Sequence, residues 1–273
     1  MLTLLHPVSV KRENFKTCDQ SGFCKRNRIY ADSATSTSSW SSPYTLDPAS
    51  IAFTKGQLTG TVLKSIINSD QTVRLPITIT FLESGSARVT VDEEKRQKGE
   101  IELRHDSKAR KERYNEAEQW VIVGGMQISS GAATSPDAEQ GTTKIVYGPG
   151  GKFEAVIKHA PLTIDFKRDG ETHVKLNERG LLNVEHWRPK VEKPIEEKKE
   201  EEGEAQGDEA VVAETSKEAA EDESTWWEES FGGNTDSKPR GPESVALDIS
   251  FPGYEHVFGV PEHTGPLSLR QTR

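Results

Sequence analysis

Ile77-Thr-Ile-Thr-Phe81, then Ser84-Gly-Ser86, then Ala87-Arg-Val-Thr-Val91 is the stretch that decides the fold. Apolar and polar residues alternate on both sides of a short punctuating turn. Side chains of a strand point to opposite faces in turn, so the pattern predicts a hairpin with one buried face. Working outward, the same period returns in Trp120-Val-Ile-Val123, Lys144-Ile-Val-Tyr147, Phe153-Glu-Ala-Val-Ile157 and Leu162-Thr-Ile-Asp-Phe166. Asp169-Gly170, a strong hairpin-turn dipeptide, separates the last of these from Val174-Lys-Leu176, and Gly148-Pro-Gly-Gly151 marks another turn. No window shows a helical repeat of comparable quality. The expectation is an all-β meander, a sandwich.

That domain is diluted. The 273 residues are only 33% hydrophobic and 29% charged, with a net charge of -9. Glu192 to Glu229 holds sixteen acids against four lysines, a net of -12, so the rest of the chain carries +3. The acidity is local and says little about partners of the folded part. Residues 191–224, rich in Glu, Lys and Ala, are expected to be a disordered acidic insertion. Ser244-Val-Ala-Leu-Asp-Ile-Ser-Phe251 resumes the strand pattern beyond it, with Val245, Leu247, Ile249 and Phe251 sharing a face. A lone strand is not stable, so the insertion interrupts the β-domain rather than ending it. The expected organisation is an N-terminal segment (1–30), a Ser/Thr-rich linker or surface strand (31–42), the first part of the sandwich (43–190), the insertion (191–224), and a continuation of the sandwich that stops short (225–273).

Several classes drop out. No stretch approaches the ~18 apolar residues needed for a membrane span. The opening Met1 to Val10 lacks the length, basic flank and cleavage site of a complete signal peptide. Lys95 to Arg113 holds eight Lys and Arg, but acids interleave throughout, which suits a solvated edge and not nucleic acid. Glu255-His256 and Glu262-His263 lack a metal-binding spacing, so no metal is expected. No phosphate loop, nucleophile elbow or dinucleotide fingerprint is present, and no cofactor is expected.

Two features stay open on the residues alone. Cys18 and Cys24 flank Ser21-Gly22, a turn that either brings them within bridging range or leaves two free thiols. Trp226-Trp227 either pins the returning chain onto the β-core, with Phe231 close behind, or anchors a sugar or a protein partner.

Several segments together resemble one family. Asn14-Phe-Lys-Thr-Cys-Asp-Gln-Ser-Gly-Phe-Cys-Lys-Arg-Asn-Arg28, Leu176-Asn-Glu-Arg-Gly-Leu-Leu-Asn-Val-Glu-His186, Asp236-Ser-Lys-Pro-Arg-Gly-Pro-Glu-Ser-Val-Ala-Leu-Asp248 and Pro252-Gly-Tyr-Glu-His-Val-Phe-Gly-Val-Pro-Glu-His263 are similar to the catalytic alpha subunits of glucosidase II. Those are the endoplasmic-reticulum members of glycoside hydrolase family 31. The resemblance runs from Val10 almost to the end, charged insertion included.

It implies a sandwich of galactose-mutarotase type, placed before a catalytic (β/α)8 barrel. The family's nucleophile lies in a W-N-D-M-N-E type motif of that barrel, which has no counterpart here. This chain is therefore expected to be a non-catalytic N-terminal portion of a retaining alpha-glucosidase that trims glucose from N-linked glycans, inactive by itself and apparently truncated. Gly259, Pro261, Glu262 and His263 would border the substrate pocket. The resemblance also implies a Cys18–Cys24 disulfide, a lumenal location and a lectin-bearing glucosidase II beta subunit as partner. A free-standing carbohydrate- or protein-binding module anchored at Trp226-Trp227, or a truncated product without function, are the alternative readings.

Overall fold

A computed structural model describes residues 12–66, 70–93, 128–137, 139–186, 224–238, 241–242, 244–259 and 266–270. Trp120-Val123, the basic Lys95 to Arg113 stretch and all but the last residue of 191–224 lie outside these. The chain divides into two compact units, one formed by residues up to Asp32 with Val184–Val245, the other by Ser33–Asn183 with Ala246–Arg273.

The first unit has 3-10 turns at Arg12–Asn14 and Cys18–Gln20 and all but the last residues of helix α1, Gly22–Ser36. This corrects the expectation for the N-terminal piece, because Ala31–Ser36 continues a helix instead of starting a linker or strand. Of the helix residues, only Gly22 is buried, so no apolar stripe existed to be read. Tertiary anchors hold it instead, and such contacts override weak propensity.

The second unit contains both main sheets. Its first sheet has five strands: β1 (Tyr44–Leu46), β2 (Ala52–Thr54), β3 (Gln57–Ser65), β4 (Thr72–Phe81) and β5 (Ala87–Val91). β4 and β5 pair antiparallel with Ile77 opposite Val91, Ile79 opposite Val89 and Phe81 opposite Ala87, the register that the alternation predicts. Ile77, Ile79 and Phe81 are buried. Gly85 closes this hairpin because a Cβ there would fall 2.3 Å from the Phe153 ring, at a φ of +86°.

The second sheet carries β6 (Ala133–Asp137), β7 (Thr142–Tyr147), β8 (Phe153–Lys158), β9 (Thr163–Arg168) and β10 (Glu171–Leu176). Asp169 and Gly170 both adopt positive φ, as the tight β9–β10 turn requires. The sheets meet where the Phe81 ring lies 4.8 Å from that of Tyr147, and where Leu162 N–H donates to Tyr44 O at 2.9 Å. Tyr44, Leu58, Val62, Leu75, Ile145 and Ile157 complete a dry core at or near zero exposure. Each such side chain contributes roughly 1.5–3 kcal/mol on burial.

After β11 (Asn183–Val184), the chain re-enters description at the short helix α2 (Ser224–Trp227). It continues through the hairpin of β12 (Glu228–Phe231) and β13 (Asn234–Ser237), and then β14 (Val245–Ala246) and β15 (Ile249–Ser250). β15 joins the edge of the second sheet, with Ser250 opposite Lys175 and Ile249 opposite Leu176. Residues on both sides of the insertion thus belong to one sheet.

The strand expected over Ser244–Phe251 is corrected in form. It is two strands of two residues each. Its shared face looks outward, with Val245, Leu247, Ile249 and Phe251 at 63, 42, 49 and 37% exposure. The cause is Asp248, whose carboxylate accepts from the N–H groups of Arg179 (2.8 Å) and Leu181 (3.0 Å), while its carbonyl accepts from Asn177 N–H (2.9 Å). Turning Asp248 inward turns its odd-numbered neighbours out.

Candidate functional site

Two clusters of side chains stand out, one in each unit. In the second unit, the β9–β10 pairing slips between Thr172 and Val174, leaving His173 as the extra residue of a bulge. Its Nδ1 meets the Tyr254 hydroxyl at 2.5 Å, with ring centroids 5.7 Å apart. A shallow groove of about 260 Å³ runs beside this pair, lined also by Phe251, Val257 and Phe258. His256 Nδ1 lies 3.3 Å from Ser268 Oγ, and Leu269 N–H donates to Val257 O at 2.8 Å. The segment Pro252–Gly259 is thus tied at both ends without forming a strand. Gly259 closes it in an open position at φ +139°. Pro261, Glu262 and His263, the other residues expected beside a pocket, lie outside the described residues.

In the first unit, two carboxylates hold α1. Glu229 accepts from Gly22 N–H at 2.9 Å, where the first turn of the helix leaves donors unsatisfied, and from Lys238 Nζ at 2.7 Å, with Lys16 Nζ 3.4 Å away. Burial alone would raise its pKa, but these donors more than offset it and bring it to about 2. Glu185 pairs with Arg26 Nε at 2.5 Å, the side chains being 6% and 10% exposed. It also accepts from the backbone and hydroxyl of Ser244. Here too burial pushes the carboxyl up, and the Arg26 and Ser244 hydrogen bonds carry it below its ordinary value.

Cys18 and Cys24 bring their sulfurs within 2.6 Å of each other, Cys18 on the 3-10 turn and Cys24 within α1. The hydrogen bond with Cys18, and then burial, raise the Cys24 thiol. Trp226 is buried and Trp227 half-buried. The Trp226 ring is thus turned away from external ligands, whereas Trp227 is only partly covered.

Chemically, the firmly held carboxylates are engaged. Glu185, Glu229 and Asp248 each bind backbone donors or cations, and Glu178 accepts from Lys175 at 2.6 Å. Among the described residues, no three of His, Cys, Asp and Glu gather as metal ligands would. No described helix is long and apolar enough to cross a membrane.

Sequence reasoning missed His173, Tyr254, Asp248, Glu185 and Glu229. Thr172-His173-Val174 reads as regular alternation, and nothing local marks a bulge. Glu229 sits in an acidic run where no spacing singles one acid out. The hairpin-turn dipeptide at Asp169-Gly170 was the one available signal, and it fixes register only near the turn.

Known proteins bear on both clusters. Residues 76–273 match the family model described as the glycosyl hydrolase 31 N-terminal galactose mutarotase-like domain. The chain is 33% identical over 261 residues to the glucosidase 2 subunit alpha of Schizosaccharomyces pombe, covering 96% of this chain and 25% of that protein. It is 31% identical to the neutral alpha-glucosidase AB of Mus musculus, covering 97% of this chain and 26% of that one. A crystal structure of a DNJ-bound glucosidase II alpha subunit superposes with a TM-score of 0.77 at 60% identity, over 97% of this chain and 25% of that chain. The catalytic subunit in a crystal structure of an ER glucosidase II heterodimeric complex gives 0.76 at 60% identity, over 95% of this chain and 25% of that chain. The chain therefore spans about a quarter of the length of the relatives it matches. The matched residues run from the middle of β4 through β15 and include the whole His173–Gly259 cluster, and on that footing the chain belongs to the N-terminal galactose mutarotase-like family of glycosyl hydrolase 31.

Proposed function

We propose that this chain acts as the non-catalytic N-terminal sandwich of an alpha-glucosidase that trims glucose from N-linked glycans. In this role it supports a catalytic barrel and contributes Gly259, Pro261, Glu262 and His263 to the edge of the sugar pocket. The carrying observation is the apolar row Val245, Leu247, Ile249 and Phe251, turned to solvent on a segment whose polar residues face inward. An ordered apolar row on the outside is unfavourable until something covers it. The fission yeast relative has three quarters of its length outside the matched portion, which supports the reading that a further part packs on this row.

The chemistry belongs to that other part. Retaining hydrolysis needs two carboxyl groups ~5 Å apart across the scissile bond, one ionised and one protonated. Glu185 and Glu229 are held ionised, which unfits them as the acid, and their buried oxygens are taken up by structural donors, which unfits them as the nucleophile.

The test is to incubate the purified chain with a chromogenic alpha-glucoside, alone and with a separately produced barrel portion. No turnover above the buffer blank is expected alone, and activity on mixing, abolished by Leu247→Asp with Ile249→Asp. Turnover by the chain itself at a rate near that of a full-length subunit would overturn the reading.

A regulatory beta subunit is proposed as partner, supported by the heterodimeric complex of a similar catalytic subunit. The same reading places the protein in the endoplasmic-reticulum lumen with Cys18 and Cys24 bridged, since such bonds persist in oxidising compartments. Mass spectrometry of non-reduced peptides decides the bridge. Two free thiols in protein made in an oxidising compartment would refute it.

A further inference from the structure

Gly259 is placed by something other than its own surroundings. Among the described residues, a Cβ built on it would meet nothing within 4 Å, and its φ of +139° is one that few side-chain-bearing residues tolerate. The segment leading to it, from Pro252, forms no strand. Among the described residues, what positions it are the ties made by the segment before it.

Three such ties are present, one of them the longer contact of His256 Nδ1 with Ser268 Oγ at 3.3 Å, near the far end of the segment. The Val257 carbonyl accepts from Leu269 N–H at 2.8 Å, a backbone contact any residue could make. The shortest joins two side chains near the start of the segment. His173, displaced from the regular alternation by the β10 bulge, meets the Tyr254 hydroxyl at 2.5 Å and lies beside its ring. Tyr254 is 54% exposed, so this contact adds little to the core. A bulge costs ladder hydrogen bonds, and here its structural return is one aimed imidazole. The groove beside Phe251 and Phe258 borders the Tyr254 end of the segment, the end that, among the described residues, only this side-chain pair ties back to the second sheet.

We propose that His173 and Tyr254 are positioning residues: their hydrogen bond fixes the Pro252–Gly259 segment and so sets where Gly259 stands at the edge of the sugar pocket. This rests on the pocket-edge reading above and adds to it the residues that hold the edge in place. The pair touches no reacting atom. It acts on substrate binding through the segment.

The experiment uses a full-length alpha subunit carrying these residues as its N-terminal quarter, with His173→Phe, Tyr254→Phe, His173→Asn and Gly259→Val compared on a chromogenic alpha-glucoside. His173→Phe and Tyr254→Phe are each expected to raise KM ~5-fold with kcat changed less than ~2-fold. The double variant should be no worse than either single one, because both remove the same bond. His173→Asn should restore most of the affinity, since the asparagine amide reaches about as far as Nδ1. Thermal midpoints should not move, which separates positioning from loss of fold. Tyr254→Phe removes a single oxygen and guards against misfolding of the bulge variant. If Gly259→Val raises KM while His173→Phe and Tyr254→Phe leave it unchanged, the positioning role falls and the pocket edge stands. If none of the three changes KM, the pocket-edge reading falls and takes this inference with it. Additive effects of the two phenylalanine variants, or His173→Phe acting where Gly259→Val does not, also overturn it.

Discussion

β4 and the Val245–Phe251 segment carry the same alternation and put it to opposite use. In β4, Ile77, Ile79 and Phe81 face the core with 2% exposure or less. In the later segment, the equivalent row faces solvent because Asp248 is drawn inward by the N–H groups of Arg179 and Leu181. Period two announces a strand and a two-sided distribution of apolar residues. Which side is inner depends on partners elsewhere in the chain, or in a part that packs on it later.

The largest expected effect tests the buried side of this contrast. Phe81→Ala removes a ring packed against Phe53 and Tyr147 and should cost ~3–5 kcal/mol. Urea unfolding followed by tryptophan fluorescence would measure it. A loss below ~1 kcal/mol would mean that the first sheet does not depend on this packing.

A comparable loss is expected where a polar pair is buried. Arg26→Met leaves Glu185 buried without its cation and should cost about 3 kcal/mol, whereas the double change Arg26→Met with Glu185→Leu should recover much of it. The readout is the same unfolding curve, and a double variant as weak as the single would argue that the site needs charge as such.

The third effect is a pH dependence with a fixed sign. Glu229 titrates lower when folded than its ordinary value near 4.5, and Glu185 shifts the same way. The unfolded chain therefore binds more protons in that window. The Glu229 contribution is present above about 4.5 and is lost as pH falls toward about 2, and the Glu185 contribution is lost in the same direction. Glu229→Gln should flatten this acid limb and cost ~1–2 kcal/mol at neutral pH. Stability curves that stay parallel from pH 5 to ~2.5 would show that Glu229 does not hold α1.

The legible part of the molecule was the part whose order is local. Strands β4, β5 and β7–β10 could be read from alternation because their inner faces are continuous apolar rows, and Asp169-Gly170 gave a turn whose backbone demands those residues. Helix α1 was not legible, since its anchors are Glu185 and Glu229, more than a hundred positions away in sequence. The candidate site divides the same way. Gly259 followed from a resemblance in the Pro252–His263 stretch, but His173 depends on a register shift that no local pattern encodes, and Tyr254 gains its role only from that shift.

The smallest expected effect falls on the exposed row. In the chain alone, Leu247→Asp should change stability by no more than ~0.5 kcal/mol, because a side chain already 42% exposed loses little packing when replaced. Aggregation should decline, since a charge interrupts a continuous apolar row beside the short edge strand β15. Light scattering at matched concentration measures this, alongside the unfolding curve. In the presence of the barrel portion, the same substitution should become costly, because the aspartate would be buried against an apolar partner without a counter-charge. That reversal, neutral alone and disruptive in the complex, is what distinguishes a waiting interface from a solvated strand. If Leu247→Asp destabilises the isolated chain as strongly as a core substitution, then the row is already covered within these 273 residues. Val245–Phe251 would then belong with β4 after all, and the contrast between the two alternating segments would disappear.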